Sequence, residues 1–351
     1  MRRRFLLILV AVTIALTWRP FVQPAGRGAV VLLDLFSGLI GADLATLVSP
    51  TPREAETREL FAGTEMRVSW WRPGWGDRHP AIMVVNGATP LGNDNTATRQ
   101  LGRALARGGF LVMLPEFPFL KRGGFEPAAA RELDAAFAYM RSLPETAGEP
   151  AGAFGSSVGG GALLAATGRA SALRSADHVI VLGAYFDLDT YLASVAARAQ
   201  RRAGTVVPWE PSDEVRTRLP PAALDAMPGE NERALLQAAL DAGAYDAVLG
   251  RLRALPLSAR TVIDALSPAR VWATVTPPVF WIHDPDDAYE PLAEAEQAEA
   301  ATRVGAFRLT VPRIVQHAEV SAEARSAGPL AAAGELLGLL GFAIEVMRRA
   351  G

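Results

Sequence analysis

Ala151-Gly152-Ala153-Phe154-Gly155-Ser156-Ser157-Val158-Gly159-Gly160-Gly161-Ala162-Leu163-Leu164-Ala165-Ala166 is the stretch that decides the fold. Its first four residues are small or apolar and read as a short buried strand, and its last five read as a helix. Between them Gly155-x-Ser157-x-Gly159 forms the turn. Strand, Gly-x-Ser-x-Gly turn and helix together make a nucleophile elbow, in which the serine is held in a strained backbone conformation at the top of a sheet. The hydroxyl of Ser157 then projects from the sheet edge, and the amide of Val158 faces the same point. Glycine and serine are common in any turn; the strand and helix on either side make Ser157 a candidate nucleophile. No Lys-Ser/Thr follows the glycines, so the loop is not a phosphate-binding one.

Outward from the elbow, strands alternate with helices, which argues for a largely parallel sheet covered on both faces. Ala81 to Val85 is a fully apolar central strand ending at Asn86-Gly87, and Phe110 to Leu114 is a second, closed by Pro115. Helices are expected over Thr96 to Arg107 and from about Pro127 to Ser142. His178 to Leu182 and Pro278 to Ile282 are further strands, and Phe307 to Val311 is the last. Met66 to Trp71 alternates as an antiparallel edge strand does. Between Asp189 and Ser267 no buried strand pattern occurs, and prolines break what reads as a series of helices. This interlude is expected to be a cap over the mouth of the sheet, where ligands of α/β folds bind.

A serine hydroxyl needs a base, and the base an orienting acid. The chain has four histidines. His79 lies in a polar turn and His178 opens a strand, both structural positions, while His283 shapes the turn after strand 278–282. His317 stands in a loop beyond the last strand and is the candidate base. Ile282-His283-Asp284-Pro285-Asp286-Asp287 offers carboxylates at a strand end. Asp284-Pro285 would make the tight turn and Asp286 its solvated corner, leaving Asp287 as the acid. Asp187, just after strand 178–182, is the rival. The amide of Val158 and one from Gly87 or Ala88 would form an oxyanion hole. Phe117, Phe119, Tyr185 and the cap residue Trp209 are candidates for an apolar substrate pocket.

With Ser157, Asp287 and His317 in this order, the chain resembles the α/β-hydrolase superfamily from about residue 57 to 350. Gly-Ser-Ser-Val-Gly-Gly at the elbow, Val-Val-Asn-Gly-Ala after the first central strand, Ile-His-Asp-Pro-Asp-Asp and the late His317 carry the resemblance. Within the superfamily it is similar to dienelactone-hydrolase-like and esterase branches, whose acid loop reads His-Gly-x-x-Asp-x-x-x-Pro; here Asp284 replaces the glycine. Asn86-Gly87 stands where the family has His-Gly. Dienelactone hydrolases use a cysteine nucleophile, and dehalogenases an aspartate, where this chain has Ser157. The resemblance implies two-step acyl transfer on a small-molecule ester, with no metal or organic cofactor, and a hydrophobic or lipid-like ester would fit both an N-terminal anchor and the aromatic pocket. An amide or peptide substrate, or a non-catalytic binding protein on the same fold, are the alternatives.

Composition sets limits. The 351 residues are half hydrophobic, with 32 Gly and 25 Pro, which suits a filled core with many turns. The net charge of −2 offers no electrostatic case for nucleic acid. Cysteine is absent, which removes thiol nucleophiles, disulfides and thiolate metal sites. Residues 1–56 read as an N-terminal signal anchor with a linker helix, and 57–351 as the hydrolase domain, its cap insertion at about 189–267. Arg2-Arg3-Arg4 before the apolar run Phe5 to Trp18 has the layout of a signal anchor holding the domain to a membrane, extracytoplasmically. A cleaved signal with secretion, or a hairpin returning the domain to the cytoplasm, are the other readings. A second apolar run, Ala29 to Val48, carries Asp34 and Asp43; each carboxylate would cost on the order of 3 kcal/mol at mid-bilayer. It is expected to lie on the membrane surface or pack on the catalytic body. Leu330 to Met347 is expected to be a final helix packed on the sheet.

Overall fold

A computed structural model describes residues 23–37, 44–302, 307–317, 319–320 and 333–349. Its centre is an eight-stranded sheet in the order β1-β2-β4-β3-β5-β6-β9-β10. These strands are β1 (Arg53–Phe61), β2 (Thr64–Arg72), β3 (Ala81–Val85), β4 (Leu111–Pro115), β5 (Ala151–Ser156), β6 (His178–Leu182), β9 (Val279–Ile282) and β10 (Phe307–Thr310). β2 pairs antiparallel with β1 and with β4, and the rest of the sheet is parallel.

Continuous apolar strands mean that both faces must be covered, and side chains show it by alternating between two cores. Ala81, Met83 and Val85 point into one core with Leu111, Met113, Val179 and Trp281. Ile82 and Val84 point into the other with Val112, Leu114, Ile180 and Phe280. Helices α1 (Gln23–Leu35), α3 (Thr96–Arg107) and α14 (Ala333–Arg349) cover the second face, through residues such as Val31, Leu105 and Phe342. Helices α5 (Ala129–Ser142) and α6 (Ser157–Arg169) cover the first. Each fully buried Val, Ile or Leu here contributes about 1.5–3 kcal/mol.

The expected strands of the parallel part are present, and so is the final helix, whose Phe342 ring meets Phe280 edge-on at 5.7 Å. Two expectations need correction. Met66 to Trp71 belongs to an internal strand, because β1 lies outside it and takes the edge. The edge strand Arg-Glu-Ala-Glu-Thr-Arg-Glu-Leu-Phe is charged on both faces and carries no apolar alternation; what holds it is a continuous ladder to β2. Charge is the usual protection of an exposed sheet edge. The interlude between β6 and β9 is not purely helical. It contains α8 (Leu188–Ala197), a hairpin of β7 (Ala199–Arg202) and β8 (Thr205–Pro208), and then α9 (Asp213–Asp225), α10 (Glu230–Leu240), α11 (Tyr245–Arg253) and α12 (Leu257–Leu266). The hairpin strands are short and largely solvated, so no buried run marks them.

The proposed anchor, Phe5 to Trp18, lies outside the described residues. Of the second apolar run, α1 packs on the catalytic body: Asp34 is buried, with Arg103 Nε at 3.2 Å and Arg107 Nε at 3.5 Å. Among the described residues no helix is long and apolar enough to cross a membrane.

Candidate active site

The strand order reverses between β3 and β5: β3 is followed outward by β4, and β5 by β6 on the other side. Ligands of open α/β sheets bind at the carboxyl ends of strands at such a switch point. Gly87 leaves β3 there and Ser157 leaves β5. Ser157 has φ +52°, a left-handed conformation that costs a non-glycine residue about 1–3 kcal/mol and is tolerated where the surroundings impose it. The surroundings are tight: a Cβ on Gly159 would stand 2.0 Å from the Asn86 carbonyl oxygen. Because α6 begins at Ser157, the amide of Val158 lies in the first turn, whose N–H groups have no partner within the helix. Gly87 backs onto Ser157, its Cβ position 3.0 Å from Ser157 Cβ. The side chain of Asn86, in the place of the family's histidine, donates to the Gly92 carbonyl at 3.1 Å and pins this loop from beneath.

Asp287 and His317 come together from distant elements. His317 sits in the turn between β11 (Val315–Gln316) and β12 (Glu319–Val320), also at positive φ, with Nδ1 3.1 Å from Asp287 Oδ2. Gly183, at the end of β6, makes room for them: a Cβ there would stand 2.9 Å from Asp287 Oδ2 and 3.2 Å from His317 Nδ1. The acid loop has the expected form. Asp284 Oδ1 accepts the amide of Asp286 at 3.0 Å, and Asp286 is exposed. Asp287 Oδ1 accepts the amides of Tyr289 at 2.7 Å and Glu290 at 3.2 Å. His283 braces the loop: Trp281 Nε1 donates to its Nδ1 at 3.2 Å, which leaves Nε2–H to donate to the Glu290 carbonyl at 2.9 Å. His178 is fully buried and has no hydrogen-bond partner on either ring nitrogen among the described residues. Asp187, the rival acid, caps α8 by accepting the amide of Asp189 at 3.0 Å, and its nearest cation is Arg270 at 3.6 Å.

The partner of Ser157 is a residue that spacing and motif did not single out. Ser157 Oγ donates to Glu290 Oε1 at 2.7 Å, and among the described residues it makes no hydrogen bond to His317. Glu290 Oε2 in turn lies 3.4 Å from His317 Nδ1. Glu290 is fully buried. Its signal in the sequence was a carboxylate directly before Pro291, inside a loop already read for its acid.

Electrostatics bind the group together. Burial works against the charge of Asp287, yet His317 beside it holds its carboxyl below the ordinary range. Burial likewise opposes the His317 imidazolium, but Asp287 and Glu290 outweigh it and push the ring up to about 9. Burial raises Glu290; His317 opposes that rise and the charge of Asp287 adds to it. The Tyr289 ring stacks on His317 at 4.2 Å. Donor atoms of Asp287, Glu290 and His317 lie within 4.8 Å of one another, a spacing that a metal ion could use. In this structure His317 Nδ1 lies against Asp287 Oδ2, and Glu290 Oε1 accepts from Ser157.

Above Ser157 opens a cavity of about 780 Å³, lined by Gly87, Ala88, Val158, Tyr191, Tyr289, Glu290 and His317 at its floor. α9 supplies Val215, Thr217, Arg218 and Leu219 to its wall, and Lys121 and Arg122 also line it. The expected aromatic residues do not line it: none of Phe117, Phe119, Tyr185 and Trp209 is among the lining residues, and all four are buried in the core. Each has a packing reason. The rings of Phe117 and Phe119 meet at 5.8 Å, and Tyr185 stacks on Tyr191 while its hydroxyl donates to the Leu266 carbonyl at 3.0 Å. Trp209 Nε1 donates to the Asp287 carbonyl at 2.7 Å, which ties the cap to the acid loop.

No protein-family model matches the sequence, and a comparison with curated proteins finds no match. Solved structures are similar. The 2,6-dihydroxy-pseudo-oxynicotine hydrolase superposes with a TM-score of 0.50 at 15% identity, over 83% of this chain and 68% of that one. Brefeldin A esterase, a bacterial homologue of human hormone-sensitive lipase, gives 0.49 at 17% identity, over 92% and 86%. The acylaminoacyl peptidase of Pyrococcus horikoshii gives 0.49 at 14%, over 76% of this chain and only 38% of the peptidase. The fold is that of the α/β-hydrolases.

Proposed function

We propose that the chain is a serine hydrolase that cleaves carboxylic esters through an acyl-enzyme on Ser157. One observation carries the reading: a strained serine at a sheet's topological switch point opens onto a cavity and donates to a buried carboxylate that lies against an acid–imidazole pair. Ser157 is the nucleophile, and the Asp287–His317–Glu290 group takes up its proton. The amides of Val158 and of Gly87 or Ala88 stabilise the oxyanion, each worth roughly 3 kcal/mol. Water, deprotonated by the same group, releases the acid. Fold alone does not establish activity; the convergence of these side chains is what favours an enzyme over a binding protein.

The cavity argues for a compact substrate. Its wall mixes Leu120, Val215 and Leu219 with Thr89, Thr98, Thr217, Lys121 and Arg122, which suits an ester carrying polar groups better than a long acyl chain. A panel of short-chain, long-chain and polar esters, with matching amides, tests the reading. Turnover of short or polar esters, lost in Ser157→Ala, is the expected result. Turnover of amides alone, or equal turnover in Ser157→Ala, contradicts it.

A further inference from the structure

Two buried glutamates near the site differ in a telling way. Glu294 is tied down on both oxygens by fixed donors: the amides of Phe186 and Asp187, each at 2.8 Å, and the Thr190 hydroxyl at 2.6 Å. That is how a structural carboxylate is satisfied. Glu290, equally buried, has no backbone donor on its carboxylate among the described residues. Its Oε1 is held by the Ser157 hydroxyl at 2.7 Å and, more weakly, by the Tyr191 hydroxyl at 3.4 Å, which donates chiefly to the Tyr289 carbonyl at 2.9 Å. Its Oε2 has no hydrogen-bond partner among the described residues and faces His317 Nδ1 at 3.4 Å. A buried carboxylate held by the nucleophile on one side and by an imidazole on the other is placed to exchange a proton.

We propose that Glu290 is a catalytic residue, the base that takes the Ser157 proton directly, with His317 and Asp287 as the charged pair behind it. This rests on the serine-hydrolase reading above and makes the proton's first acceptor a carboxylate in place of the imidazole. As Oγ bonds to the ester carbon, its proton passes to Glu290 Oε1 and the carbonyl π pair moves onto oxygen. On collapse that pair returns, the bond to the leaving oxygen breaks, and Glu290 delivers the proton to it. A water molecule then repeats both steps against the acyl-enzyme. His317, whose Nδ1 is shared between Asp287 and Glu290, supplies the positive charge that keeps the buried carboxyl ionisable.

The groups facing Glu290 set the signs. Asp287, His283 and Tyr289 come from its own loop, Tyr185 and Tyr191 from the segment after β6, and Ser157 and His317 from the elbow and the β11–β12 turn. The His317 cation lowers the Glu290 carboxyl, and the Glu290 charge raises the His317 imidazolium. The two candidate bases therefore respond oppositely when the other is removed.

The test is the second-order rate of fluorophosphonate labelling of Ser157 against pH, in folded protein checked by circular dichroism. If Glu290 is the base, Glu290→Gln slows labelling about 100-fold or more at every pH, and Glu290→Asp recovers part of it. His317→Ala still labels, with its acidic limb displaced to higher pH because the neighbouring cation is gone. The proposal is overturned if Glu290→Gln keeps the wild-type plateau with its limb moved downward, as an imidazole base relieved of an anion would do. It is equally overturned if folded His317→Ala is inert at all pH, an arm that decides the matter even should Glu290→Gln fail to fold. A folded wild type that does not label at all takes the hydrolase reading and this one down together.

Discussion

Residues earn their roles here by what they touch. Asp287 and Asp187 both follow a strand at the same end of the sheet, and sequence spacing left them as rivals. The structure separates them: Asp287 Oδ2 is 3.1 Å from His317, whereas Asp187 caps a helix. Asp287→Asn is expected to reduce turnover about 10²- to 10⁴-fold with little loss of stability. Asp187→Asn, which keeps the capping oxygen, should instead leave both stability and turnover nearly intact, whereas Asp187→Ala should cost about 1 kcal/mol of stability, as read by ester kinetics beside thermal melts. The opposite ranking would reassign the acid. Ser157, Asp287 and His317 could be picked out as candidates because such chemistry requires scarce residue types at strand ends, and four histidines leave few choices. Glu290 was not legible, since glutamates are frequent and only the packing reveals that this one is buried against Ser157. The aromatic candidates failed for the reverse reason. A large apolar side chain near a mouth is consistent with pocket or core, and only packing decides.

Elements position those residues. The elbow was readable because a strand, a glycine turn and a helix must follow one another within a few residues. β1 and the β7–β8 hairpin were not, because edge and hairpin strands are stabilised by their ladders and carry little buried apolar surface. The cap does more than cover the sheet. Trp209, directly after β8, reaches the carbonyl of Asp287, so the hairpin steadies the acid loop. Trp209→Phe keeps the ring and removes that donor. It is expected to cost about 1–2 kcal/mol of stability and to lower turnover while leaving KM little changed. Equal loss from Trp209→Phe and from substitutions elsewhere in the hairpin would show that the indole N–H has no special part.

At the scale of the whole molecule, the two-sided core was the most legible feature. Continuous apolar runs such as Ala81 to Val85 permit a strand only where helices cover both faces. The fate of the segment preceding β1 was less clear, since an apolar stretch with two carboxylates suits a membrane surface as well as a protein surface. Asp34 resolves it, buried beside Arg107 and Arg103 where α1 meets α3. Asp34→Ala would leave the buried Arg107 guanidinium uncompensated and is expected to destabilise the fold by about 3–5 kcal/mol, seen as a lowered melting temperature. An unchanged melting temperature would mean that α1 is dispensable for the body. The most direct measurement of all is to treat the folded protein with a fluorophosphonate and map the adduct by mass spectrometry. A single adduct on Ser157, absent in Ser157→Ala, is the expected result; a folded wild type without that adduct, or one modified at another residue, would contradict the catalytic reading of this site.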